Sequence, residues 1–263
     1  MFINFIYSLD NQFVYSVITA IFIGGAAGYI GTLMVSKRMA LVGDALGHIA
    51  LPGVALAILY DFNIIGGAFV SLFLGILLIW FFRTKTKIHM EALTGIVFTV
   101  SLALAFLILP NGQIEEALVG NITSVSLFDM AITAMLVIVV LIVINRIFPK
   151  IILGSLSEDL AEGSKINVKK YDFIYLLMVG IIVGLGIKVV GSLLIGALVI
   201  IPAAASRNLS KNLFQYSYGG MVVGVLSCIV GIMVFRLVGF GAGPFIILTS
   251  ASIFLVSLLF SSE

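Results

Sequence analysis

Nine apolar runs, separated by short polar or charged joints, dominate this chain of 263 residues. They lie at about Val14–Ser36, Ala40–Tyr60, Ile64–Phe82, Ala92–Pro110, Met130–Phe148, Phe173–Val190, Leu193–Ala205, Phe214–Phe235 and Pro244–Phe260. A helix rising 1.5 Å per residue needs about 20 such residues to cross a hydrocarbon layer of about 30 Å. Spanning segments must satisfy every backbone polar group internally, which at these run lengths means helices. With 62% hydrophobic and 10% charged residues, too little polar surface remains to cover a soluble domain of this size. The expected fold is an all-α polytopic membrane bundle of eight or nine transmembrane helices in a single domain over residues 1–263. Between Phe173 and Ala205 the one charged residue is Lys188, so little separates the two runs there. Eight spans plus a re-entrant half-helix would fit that region as well.

Charge assigns sides. With nine spans and the N-terminus outside, only Lys188 and Arg236 of the 14 basic residues face outward, in keeping with the positive-inside rule. The outer loops then collect Asp10, Asp61, Glu115 and Glu116, and the C-terminus is cytoplasmic. No cleavable signal peptide is expected, because the opening MFINFIYSLDNQ lacks a basic start and a small-residue cleavage site. The single Cys228 excludes an intrachain disulfide or thiolate cluster. Three glycine pairs, Gly24/Gly28, Gly180/Gly184 and Gly220/Gly224, have the spacing of close helix contacts.

The longest cytoplasmic loop, Pro149–Lys170, contains SLSEDLAEGSKINVKK. A short polar helix is expected from Glu158, with Ser157 as N-cap and the acidic residues in its first turn. It reads equally as a solvated connector or as a docking element for a cytoplasmic partner.

The chemistry-bearing stretch is RMALVGDALGHIALPGVA, Arg38–Ala55. Asp44 and His48 stand four residues apart, on one helix face. Ionisable groups at membrane depth are costly and line pathways or cavities, and carboxylate with imidazole is a donor set for divalent transition metals. Pro52 deprives the His48 carbonyl of its helical donor and either kinks the span or offers that oxygen to the same cavity. Two side chains do not complete a metal shell, and a two-fold dimer would double them. His89 and Glu91 precede the fourth apolar run and read first as interfacial, with Glu91 at a helix N-terminus. Pro202 frees the Leu198 carbonyl and bends or ends its helix. A phosphate-binding GxxxxGK[ST] loop, a G-x-S-x-G elbow and an HExxH helix are all absent from the sequence, so neither ATP hydrolysis nor another catalytic activity is expected of this chain.

These residues resemble a known family. RMALVGDALGHIALPGVALAILY is similar to the hallmark segment of the ABC-type permeases for zinc, manganese and iron. VVGSLLIGALVIIPAAASRNLS and the loop SEDLAEGSKI resemble its later segments. The resemblance implies a dimeric pore, a cytoplasmic ATP-binding subunit and an extracytoplasmic metal-binding protein, in a cell (inner) membrane. It places Asp44 and His48 on the metal pathway, with Pro52, Glu91 and Pro202 as pathway or gating candidates. It places Glu158, Asp159, Leu160, Ala161, Glu162 and Gly163 where the ATPase docks. The family often has Ser before the histidine, where this chain has Gly47. The implied function is the permease subunit of an ATP-driven importer of divalent metal ions. The metal is substrate, no intrinsic cofactor is expected, and the remaining contacts are with membrane lipid rather than nucleic acid. The alternatives are a permease for a chelated metal or siderophore, and an ion-coupled secondary carrier.

Overall fold

The computed structural model describes residues 11–108, 125–192, 194–239 and 241–260. Asp10, Pro110, Glu115, Glu116 and Leu193 lie outside these residues, as do the side chains of Glu158, Asp159 and Glu162. The described residues form helices α1 Asn11–Ser36, α2 Ala40–Ile49, α3 Leu51–Leu59, α4 Ile64–Lys85, α5 Met90–Ile108 and α6 Leu127–Leu156. They continue as α7 Glu158–Gly163, α8 Val168–Val190, α9 Ile195–Leu209, α10 Leu213–Val238 and α11 Ala242–Leu258. Among the described residues seven spans are long and apolar enough to cross a membrane, with α2 and α3 together forming one of them. The two shorter apolar helices are α9 and α11.

α8, α1 and the α2–α3 span are the most enclosed. The first glycine pair packs α1 against α10. A Cβ on Gly24 would meet the Gly224 carbonyl and the Cys228 sulfur, and one on Gly28 would meet the Gly220 carbonyl. Backbone-to-backbone approach of this kind substitutes for a hydrophobic driving force inside lipid. Gly180 and Gly184 receive Ile76 and Phe69 of α4. Cys228 is buried in the α1–α10 seam, a packing role.

Alternating helix directions gather Lys37, Arg38, Arg83, Lys87 and Lys169 around one crevice of about 840 Å³, here termed the basic end. Lys188, one of the two charge outliers, pairs with Asp129 at 2.7 Å at the other end. That carboxylate also closes a capping box with Ser126 at the start of α6. Arg236, the second outlier, lies 4.2 Å over the Phe13 ring.

Two boundaries differ from the sequence expectation. α6 does not stop at Phe148 but continues through Pro149 to Leu156, so the connecting loop begins at Ser157. The buried stripe Val137, Val140, Ile144, Ile147 and Ile151 continues past the proline. That packing outweighs the lost bond to the Asn145 carbonyl. Pro202 likewise does not end α9, which runs on to Leu209. The short loop helix forms as expected, with the Leu160 amide donating to the Ser157 hydroxyl at 3.3 Å. In α7, Ala161 is buried and Leu160 points outward.

Candidate metal site

The second span is broken in the middle. α2 ends at Ile49, Ala50 forms the joint, and Pro52 opens α3. Asp44 and His48 both stand on α2, half-buried, one turn apart. The helix facing Asp44 is α9. A Cβ on Gly196 would lie 2.5 Å from Asp44 Oδ1 and 2.7 Å from Asp44 Cβ. The carboxylate therefore abuts the first turn of a 15-residue helix, where unsatisfied amides and the helix dipole favour negative charge. α8 ends at Gly191, whose φ of 92° suits glycine. Ser192, next to it, also lies outside the regular helices. Non-helical backbone at membrane depth is tolerated where protein buries it or where it lines a cavity.

Ser192 and Ile195 fill the space beside Gly47. A Cβ there would lie 2.5 Å from the Ser192 carbonyl oxygen and 3.0 Å from Ile195 Cγ2. The glycine in place of the family's serine thus has a packing reason, since it lets Ser192 and Ile195 approach α2. His48 faces α5, its ring 5.3 Å from that of Phe98 at 60°. Its Nδ1 is buried without a hydrogen-bond partner, a costly arrangement for an imidazole nitrogen. Among the described residues no group of three or more His, Cys, Asp and Glu comes together. A carboxylate and an imidazole on one helix are donor types that Mn²⁺, Zn²⁺ and Fe²⁺ accept, and two side chains alone do not complete a shell.

The other expected residues lie elsewhere. Glu91 is exposed in the first turn of α5 and lines the basic-end crevice with His89. It precedes Phe98 by about 10 Å of helix, so the structure does not bring it to Asp44 and His48. Pro202 is buried in α9, nearly two turns beyond Gly196.

Sequence reasoning missed Asp172. It is 3% exposed and takes Arg83 Nη1 at 2.7 Å on one oxygen and Lys37 Nζ on the other. This cluster ties the end of α1, α4 and α8 together at the basic end. Arg83 also reaches Met90 Sδ at 3.2 Å, drawing in α5. Its only sequence signal was a lone acid at the head of an apolar run.

A many-span helical bundle with a broken helix bearing an acid–imidazole pair, and with no ATPase motif of its own, is the architecture of a transporter's membrane subunit. The chain belongs to the ABC 3 transport family, whose model matches residues 10–261. It is therefore a permease subunit of an ABC-type transporter, not an enzyme. It is 32% identical over 246 residues to the manganese import system permease protein ScaB of Streptococcus parasanguinis, covering 92% of this chain and 88% of that one. It is 29% identical over 249 residues to the high-affinity zinc uptake system membrane protein ZnuB of Haemophilus influenzae, covering 92% and 95%. Among solved structures, PsaBC from Streptococcus pneumoniae in complex with Fab superposes with a TM-score of 0.85 at 28% identity, over 98% of this chain and 95% of that one.

Proposed function

We propose that this chain imports a divalent transition metal, manganese or zinc in the first instance, and that Asp44 and His48 are its half of the metal station. The observation that carries this reading is the buried, unpartnered Nδ1 of His48 one helical turn from a carboxylate set against a helix N-terminus. The relatives named for manganese and zinc uptake support the substrate class. A second copy of the chain, or a close paralogue, supplies the remaining donors across a two-fold axis. A site without thiolates holds these ions loosely enough to release them, which suits passage.

The energy comes from a cytoplasmic ATP-binding subunit, since this chain has no phosphate-binding loop. That subunit docks on α7, where Leu160 stands outward from a helix anchored by Ala161. An extracytoplasmic metal-binding protein delivers the ion. The basic end faces the cytoplasm, placing the N-terminus outside and the C-terminus inside the cell membrane. ATP-driven movement of α7 swings the helices around Asp44 and His48 between two accessible states, and the ion is bound more favourably in one of them. Glu91, in the basic-end crevice, lies on the exit route, and Pro52 and Pro202 provide the bends. Reconstitution with ATPase and binding protein tests this reading. Mn²⁺ or Zn²⁺ should accumulate only with ATP, and equal uptake without the ATPase would overturn it in favour of an ion-coupled carrier.

A further inference from the structure

The break after His48 leaves a backbone account that does not balance within its own helix. In an unbroken helix the Ile49 carbonyl would accept from the Gly53 amide. Here that amide donates to the Ala50 carbonyl instead, at 3.1 Å, and Pro52 has no amide to offer. The donor comes from the next span: Ser71 Oγ of α4 donates to the Ile49 carbonyl at 2.6 Å.

The same face of α4 grips this joint at two more levels. One turn before Ser71, Gly67 packs backbone to backbone on Gly53. One turn after it, Gly75 forms a notch filled by the Ile49 side chain. Ile49 is thus held by its carbonyl and by its side chain, immediately after His48. Because a helical residue's azimuth is set by the backbone around it, fixing Ile49 fixes where the His48 ring and, one turn earlier, the Asp44 carboxylate project.

We infer that Ser71 is a positioning residue of the metal station: its hydroxyl replaces the missing helical donor at Ile49 and thereby aims His48. The inference rests on the reading of Asp44 and His48 as metal donors. Hydrogen bonds that orient a ligating histidine from outside the metal shell change affinity by roughly ten- to a hundredfold when removed. Ser71 performs that task through the backbone, since the histidine's own Nδ1 has no protein partner.

The test uses the full chain purified with its ATPase and without the metal-binding protein, so that Co²⁺, the spectroscopic probe of an imidazole-bound metal, reports on the permease itself. Ser71→Ala should weaken Co²⁺ binding by roughly tenfold and shift the ligand-field bands, with assembly by size exclusion unchanged. Ser71→Thr, which keeps the hydroxyl, should restore wild-type binding and spectrum. Ser71→Val, matched to threonine in shape, should behave like alanine. Wild-type binding by the alanine and valine variants would overturn the inference. So would equal loss in the threonine and valine variants, which would make volume rather than the hydroxyl decisive. His48→Ala should lose the bands altogether. If it kept them, or if the wild-type complex showed none, the metal-donor reading itself would fall.

Discussion

Gly196 lies so close to Asp44 that a Cβ on the glycine would sit 2.5 Å from the carboxylate Oδ1. The first turn of α9 and the acidic residue of α2 therefore share one volume, and only hydrogen at position 196 lets them do so. Gly196→Ala must push α9 away from α2 or turn the carboxylate aside. The expected outcome is a destabilisation of about 1–3 kcal/mol, read from thermal unfolding of the purified complex, together with loss of most metal uptake. Wild-type stability and uptake would show that the two helices do not approach this closely.

Asp172 neutralises two cations that are largely withdrawn from water. Asp172→Ala removes the carboxylate that Lys37 and Arg83 share, and breaking a buried ion pair from one side costs about 3–5 kcal/mol. Arg83 keeps 20% of its side chain exposed and so recovers part of that by hydration. The expected loss is about 3 kcal/mol, and replacing Lys37 by Met in the same chain should return some of it. A double-mutant cycle on thermal unfolding measures this, and strictly additive losses would contradict the shared cluster.

Lys188 and Asp129 form a half-exposed pair, and such pairs contribute about 0.2–1 kcal/mol. Asp129 additionally completes the capping box of α6 with Ser126, which adds about 1 kcal/mol. Asp129→Ala should accordingly destabilise the protein more than Lys188→Ala. Equal effects would mean that the cap contributes nothing.

The positions of the apolar helices were legible because length and apolarity are local properties, and the described residues have an apolar helix at each of the nine runs, seven of them long enough to cross a membrane. The placement of Asp44 and His48 one turn apart on the same helix was legible for the same reason, since a four-residue spacing is a helical property wherever the helix sits. What was not legible depends on which distant residues meet. Gly196 and Ser71 acquire meaning only once α9 and α4 are packed on the broken second span, and nothing near either residue announces that contact. Asp172 could be seen as a polar residue heading a span, but not as the shared partner of Lys37 and Arg83, which come from other helices. Pro149 misled in the opposite direction. As a local breaker it argued for a helix end, and the continuing buried stripe to Ile151 overrode it.

The central claim is that Asp44 and His48 together bind the transported metal, and uptake by single variants tests it most directly. In proteoliposomes containing the permease, its ATPase and its binding protein, ATP-driven Mn²⁺ uptake should fall to background with Asp44→Ala and with His48→Ala, while both variants assemble normally. Wild-type uptake by both would contradict the account.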